Sequence, residues 1–253
     1  MLPVAKSCSN HRDVPIACSD GLHLLTMDVE AINDRVAREY SIDDYYERAP
    51  WPIRVVERRR LAIIREFMGD VEGLELAEIG SGGGHVLRMF PDARLTAIDV
   101  SGVYLDIARK NLEGYDVRFL KGEVNEMDLP TASFDRIICT EVLEHAVDPD
   151  ALLAAIAGLL RPSGVAAITV PNDPLIRRIK SVIRRTPARR RLEKRIEWGG
   201  DEYHLHRWTI DDFERILGSH LCVTERRGAP LDRFPLRGCF KCTKKPTGRD
   251  EPA

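Results

Sequence analysis

Leu76-Ala77-Glu78-Ile79-Gly80-Ser81-Gly82-Gly83-Gly84-His85 decides the reading of this chain. A short apolar run, read as a strand, delivers an acid and then a cluster of glycines into a turn. Glycine carries no Cβ and tolerates positive φ, so such a backbone bends sharply and lies close against a ligand. Behind a strand, this reads as a nucleotide-cofactor loop. The dinucleotide fingerprint GxGxxG wants glycine or alanine where His85 stands, and an acid at the strand end repels a pyrophosphate. A plain strand-to-helix turn is the structural alternative.

The segments that follow bear on that choice. Leu95-Thr96-Ala97-Ile98-Asp99-Val100 is apolar up to Asp99, about 20 residues beyond the loop, where an acid accepts ribose hydroxyls. A third candidate strand, Val117–Lys121, runs into Gly122-Glu123-Val124. The fourth is Phe134-Asp135-Arg136-Ile137-Ile138-Cys139-Thr140-Glu141-Val142-Leu143-Glu144-His145, and Leu159-Leu160-Arg161-Pro162-Ser163-Gly164 and Ile168-Thr169-Val170-Pro171-Asn172 come next. In this order the stretch between about Leu74 and Asn172 resembles the class I S-adenosylmethionine (SAM) methyltransferases. The loop is similar to their motif (D/E)xGxGxG, and the EVLEH string is typical of one broad subgroup. Ser163 stands where the usual LLxPGG turn has its first glycine.

The resemblance implies an α/β, Rossmann-like fold with a seven-stranded sheet in the order 3-2-1-4-5-7-6, mostly parallel, closed by a C-terminal antiparallel hairpin and flanked by helices on both faces. It places SAM outside the carboxyl ends of the central strands. Glu78, Gly80, Ser81, Gly82 and Gly84 then shape the methionyl pocket, Asp99 with Val100 holds the ribose, Glu123 with Val124 reads the adenine, and Glu141 lies beside the cofactor.

Periodicity supplies the frame independently. Helices are predicted over 28–47 and 51–69, the second with apolar positions Ile53, Val56, Leu61, Ile64 and Phe67 near helical spacing. Strands 95–100, 117–121, 134–140 and 165–170 alternate with helices 102–112 and 149–160, a pattern that demands a parallel sheet with crossovers. Beyond Thr209 a capped helix through Leu217 precedes strands at about 221–227 and 237–244. The organisation expected is an N-terminal arm and helical cap over 1–50, then a methyltransferase domain over 51–253 with a basic insertion at 173–202.

Composition narrows the class. The 253 residues are 43% hydrophobic with a net charge of −2, so no global field favours nucleic acid. No apolar run approaches the roughly 20 residues of a membrane span, and the N-terminus has no apolar signal core; a cytoplasmic location is expected. The six cysteines read as reduced thiols. Cys8, His11, Cys18 and His23 form a conceivable zinc set, and Cys239 and Cys242 a formal CxxC. In a strand, however, an offset of three sends the last two to opposite faces, which is wrong for a shared ion.

Methyl transfer to a hydroxyl needs a base or a Lewis acid. Glu141, Glu144 and His145 occupy an ExxEH spacing that one helical turn would gather on a common side. His204 lies four residues before Trp208-Thr209, with His206 between. This set resembles the metal site of the small-RNA terminal 2′-O-methyltransferases, and the ubiquinone-pathway O-methyltransferases show a related EH motif. Three readings stay open. Glu141, Glu144, His145 and His204 hold Mg²⁺ or another divalent ion, His204 with His145 supplies a base without metal, or the group shapes the substrate pocket.

In the insertion, Leu175, Ile176, Ile179, Val182 and Ile183 make one helical stripe among Arg177, Arg178, Lys180, Arg184 and Arg185. A solvated face, a peripheral membrane contact through 175–195 similar to that of the ubiquinone-pathway enzymes, and a lid over the acceptor are the alternatives. Nucleic acid is disfavoured because no RNA module accompanies the charge. The functional expectation is SAM-dependent O-methylation of a small-molecule or lipid-like acceptor. Metal-assisted RNA 2′-O-methylation and a non-catalytic SAM-binding regulatory protein are the alternatives.

Overall fold

The computed structural model describes residues 29–39, 49–186 and 204–246. The Cys8, His11, Cys18 and His23 set and residues 187–203 of the insertion lie outside them. The elements are α1 (Val29–Glu39), α2 (Trp51–Met68), β1 (Glu75–Ile79), β2 (Arg94–Asp99), α3 (Gly102–Asn111), β3 (Val117–Lys121), β4 (Phe134–Thr140), α4 (Pro149–Leu159), β5 (Leu160–Pro171), α5 (Asp173–Arg184), α6 (Ile210–His220), β6 (Leu221–Leu231) and β7 (Phe234–Lys244). The seven strands form one sheet in the order β3-β2-β1-β4-β5-β7-β6. β1 to β5 pair in parallel, whereas β7 pairs antiparallel with both β5 and β6. This is the Rossmann-like arrangement that the resemblance implies.

Each face of the sheet carries its own core. On one face Ile63, Ile64 and Phe67 of α2, Leu105 and Ala108 of α3 and Ile176 of α5 pack over Leu76, Ala97 and Ile138. On the other, Leu153 and Ile156 of α4 with Phe213 and Leu217 of α6 cover Ala77, Ile137, Ile168 and Phe240. The central strands place buried apolar residues on both faces, as expected of strands lying between two helical layers. Cys239 belongs to the first core and Cys242 to the second, so the pair does point to opposite faces. Burial pushes both thiols up to about 12.

Helix starts follow side-chain chemistry. Ser101, Asp148, Asn172 and Thr209 each accept a backbone N–H of the first turn of α3, α4, α5 and α6. Gly69, at φ +63°, ends α2. The crossover from β1 to β2 holds a 3₁₀ turn, Leu87–Met89. The bounds of three strands differ from expectation. β5 starts at Leu160 directly after α4, so the Arg161-Pro162-Ser163-Gly164 stretch lies within the strand. β6 and β7 run further than predicted because Pro230 and Pro235 sit opposite one another, where neither is asked for an N–H.

Phe240 is fully buried, with its ring 5.5 Å from that of Phe213. Phe240→Ala is expected to cost about 3–5 kcal/mol, read by urea unfolding; a loss under about 1 kcal/mol would show that this face collapses around the gap.

Candidate active site

One cavity of about 660 Å³ opens at the carboxyl ends of β1, β2 and β4. The glycine loop forms its floor. Gly80 and Ser81 donate to the Ile98 carbonyl at 2.8 and 3.0 Å, which ties the loop to β2. Gly80 has φ +71°, and a Cβ there would collide with the Val142 side chain, so only glycine fits the turn. Asp99, buried at the end of β2, accepts Gly82 N–H and Ser101 N–H, each at 2.8 Å. It therefore holds the loop as well as facing the cavity.

Glu78, Gly80, Ser81, Gly82, Asp99, Val100, Glu123, Val124 and Glu141 all line the cavity. Gly84 does not belong with them. A Cβ there would lie 2.8 Å from Leu112 Cδ1, so this glycine permits close packing against α3, and Gly83 takes its place at the cavity wall. From α1, Asn33 and Val36 cover the same space. α1 is fastened by Ser101 Oγ donating to Asp34 at 2.5 Å and by the Lys121–Glu30 ion pair at 2.5 Å.

At the other end of the cavity, Glu144, His145 and His204 bring their donor atoms within 4.8 Å of one another. The His145 and His204 rings meet edge to face at 4.8 Å. Glu141 is not part of this group. The chain at Glu141 has φ +56° and only Leu143–His145 forms a 3₁₀ turn, so no helical turn gathers Glu141 with its neighbours. Its carboxylate instead accepts from Thr169 Oγ1 at 2.9 Å and pairs with Arg237 at 2.6 Å. The two later histidines separate in role. The Glu144 carbonyl accepts Leu205 N–H at 2.8 Å and His206 N–H at 3.1 Å, His206 Nε2 lies 3.0 Å from the Ala146 carbonyl, and its ring stacks on Trp208. His206 thus docks the segment, while His204 faces the cluster.

Among the charged residues that line the cavity, Arg60, Glu57, Asp173 and Arg237 were not singled out from sequence. Arg60 pairs with Glu57 at 2.7 Å, and both are buried on α2. Arg60 lies four residues after Val56 and three before Ile63, so the helical apolar stripe itself marks it as inward-facing. Asp173, the first residue of α5, is 1% exposed and places Oδ2 2.8 Å from His204 Nδ1. Arg237 sits in β7 beside Pro171 and reaches Glu141 and Glu57.

Among the described residues the buried acids are Glu57, Glu78, Asp99, Glu144 and Asp173, the buried base is Arg60, and all six line this cavity. Burial shows in the ionisation of these acids. Burial, with Asp99 adding to it and Arg60 opposing, pushes Glu78 well above the usual carboxylate range. Glu144 is pushed up in the same direction by burial and then by Glu141. Burial also raises Asp99, against the N–H groups of Ser101 and Gly82. Glu78 Oε2, Ser81 Oγ, Glu144 Oε2 and Asp173 Oδ1 are buried with no hydrogen-bond partner among the described residues. Unpartnered buried oxygens of this kind suit a polar occupant.

The fold is Rossmann-like, with this cavity at the carboxyl ends of its central strands. Residues 77–168, from β1 into β5, match the family model described as a methyltransferase domain. It is 33% identical over 118 residues to the ubiquinone biosynthesis O-methyltransferase of Bordetella avium, covering 45% of this chain and 49% of that protein. To the enzyme of the same name from Actinobacillus pleuropneumoniae serotype 7 it is 29% identical over 133 residues, covering 49% and 57%. The chain thus spans about half the length of the curated relatives it matches. The N-methyltransferase NodS from Bradyrhizobium japonicum, solved with S-adenosyl-L-homocysteine, superposes with a TM-score of 0.62 at 18% identity over 87% of this chain and 100% of that one, which speaks for the fold.

Glu78 also sets a pH signature. Its folded pKa is raised above the ordinary value near 4.5, so the stability it contributes is full below that value and declines as pH rises toward the folded one. Without ligand, Glu78→Gln should flatten this decline and melt higher than the native protein at pH 8, while binding SAM more weakly. Melting temperatures across pH 4–8 check it, and parallel curves would refute the assignment.

Proposed function

We propose that this protein is a SAM-dependent methyltransferase that methylates an oxygen of a small-molecule or lipid-like acceptor. One observation carries the reading: five buried acids and one buried base meet in a single cavity that also contains the Glu144, His145 and His204 cluster. SAM brings an α-ammonium, a sulfonium and a methyl group already activated for displacement. Glu78 suits the ammonium, Arg60 the carboxylate of the same methionyl group, Asp99 the ribose hydroxyls, and Glu123 with Val124 the adenine. The orphan oxygens of Glu78 and Ser81 fit such a guest.

At the acceptor end this chain's residues have two tasks. They hold the hydroxyl at near-attack distance, and they remove its proton. His204 is placed to accept that proton, with His145 against its ring edge. Glu144, His145 and His204 also form a donor set that would hold a divalent ion, which would lower the hydroxyl's pKa. Two imidazoles and one carboxylate are softer than Mg²⁺ prefers and suit Zn²⁺ or another transition metal better. That cluster is the observation favouring the metal-assisted variant of the same reaction; Glu141, turned to Arg237, would serve beside it.

The 1–50 segment is proposed to act as arm and helical cap, because α1 closes over the cavity. The membrane reading changes in content. Ile176 is buried and Leu175 and Ile179 pack on the core, so the apolar stripe is largely committed to the fold. Val182, 62% exposed, and exposed Arg177, Arg178, Arg184 and Arg185 remain for an anionic surface. Neutralising those arginines should weaken sedimentation with anionic vesicles by about 1 kcal/mol per charge; absence of native binding at low salt would reject the contact.

The cofactor and the base are tested separately. Calorimetry should show SAM bound in preference to NAD, with Asp99→Asn weakening it by roughly 1.5–3 kcal/mol; tighter NAD binding sinks the reading. With labelled SAM and a metabolite extract, His204→Ala should lower methyl incorporation about 10²–10⁴-fold at unchanged SAM affinity. EDTA should abolish turnover only in the metal-assisted variant. Retained SAM binding without any turnover in any extract would favour a regulatory protein.

A further inference from the structure

We infer that Asp173 is a positioning residue that fixes the tautomer and orientation of His204, an inference that rests on the acceptor-end role given to His204 above. Asp173 is the first residue of α5, and an acid in a first helical turn is commonly explained by the helix dipole. That explanation does not require burial. Asp173 is 1% exposed, and its Oδ1 is buried with no hydrogen-bond partner among the described residues. Its Oδ2 lies 2.8 Å from Nδ1 of His204, whose side chain is only 10% exposed. A carboxylate sequestered in this way, with one oxygen aimed at an imidazole nitrogen, has an orienting geometry.

The consequence follows from imidazole chemistry. A neutral histidine carries its proton on one ring nitrogen only, and a carboxylate offers acceptors only. Held on Asp173, Nδ1 therefore bears the hydrogen, and Nε2 keeps its lone pair. A bare Nε2 is what both forms of the proposed chemistry require, since a proton acceptor and a metal ligand each use that lone pair. The carboxylate–histidine arrangement is how metal-bound and basic imidazoles are generally aligned. The backbone of the neighbouring residues is fixed from elsewhere, by Leu205 N–H and His206 N–H on the Glu144 carbonyl. Rotation of the His204 ring is the freedom left, and Asp173 removes it.

The test reads the tautomer directly in the full chain. Two-bond proton–nitrogen spectra of protein labelled with ¹⁵N-histidine, recorded where the imidazoles are neutral and assigned with His204→Gln, should show His204 protonated at Nδ1 and bare at Nε2. In Asp173→Ala the proton should move to Nε2, the form a free imidazole prefers, while Asp173→Asn, which keeps an acceptor oxygen, should restore part of the native pattern. Protonation at Nε2 in the native protein overturns the inference, and this holds even where a variant does not fold. Retention of the Nδ1 proton in folded Asp173→Ala overturns it too. In the extract assay Asp173→Ala should lose roughly 10–100-fold in methyl incorporation with SAM affinity unchanged. SAM calorimetry on the native sample distinguishes the two failures: absent SAM binding condemns the methyltransferase reading, whereas a wrong tautomer with SAM bound condemns the role of Asp173 alone.

Discussion

The constraint on which the rest of this structure depends is the convergence of buried carboxylates on one cavity with too little positive charge to match. Each ionised acid removed from water costs several kcal/mol unless it is paired or hydrogen-bonded. Glu57 has Arg60 at 2.7 Å and sits below the usual carboxylate range despite burial, because Arg60 and then Arg237 oppose its desolvation. Asp99 has two backbone donors. Glu78 and Glu144 have less, and both are shifted upward. Burial thus disfavours the ionised form of both, and on the proposed function a cationic methionyl group beside Glu78 would favour it again.

The sheet makes this crowding unavoidable. Parallel strands deliver their carboxyl ends to one edge, and the register places Ile79 beside Ile98 and Cys139. The residues just beyond then share one space. Glu141 continues from β4 at φ +56°, a conformation that a non-glycine residue adopts at some cost. That turn swings the carboxylate to Thr169 and Arg237 and lets Leu143–His145 curl back toward the cavity. The strain buys separation: with Glu141 bound to a guanidinium, Glu144 is left to the histidines.

How much of this was legible in the sequence follows from what sequence patterns record. β1, β2 and β4 carry apolar cores that mark them as buried strands, and the acids at or just past their carboxyl ends, Glu78, Asp99 and Glu141, line the cavity. The sheet order needed the family resemblance, because spacing fixes alternation but not which strands are neighbours. The extents of β6 and β7 were shortened by prolines that look like breakers until their opposite placement is seen. Gly84 could not be told from Gly83, since a glycine that admits a ligand and one that admits Leu112 are the same letter. Arg60 was hidden in the run Arg58-Arg59-Arg60, although helical phase separates it from its neighbours. Asp173 and Arg237 owe their places to contacts between distant elements, which no local pattern carries.

His204 and Asp173 are 31 residues apart in sequence and 2.8 Å apart in space. Whatever path the chain takes between them, its two ends are joined by that one bond inside the cavity. Helix α5 begins that path and carries Asp173 at its first position, so the bond ties the start of this helix to the segment that precedes Trp208. The glycine-loop end of the cavity, built on β1 and β2, is held by a separate set of bonds. On the proposed function, a substitution that moves Asp173 would therefore act at the His204 end and leave the bonds of the glycine loop as they are.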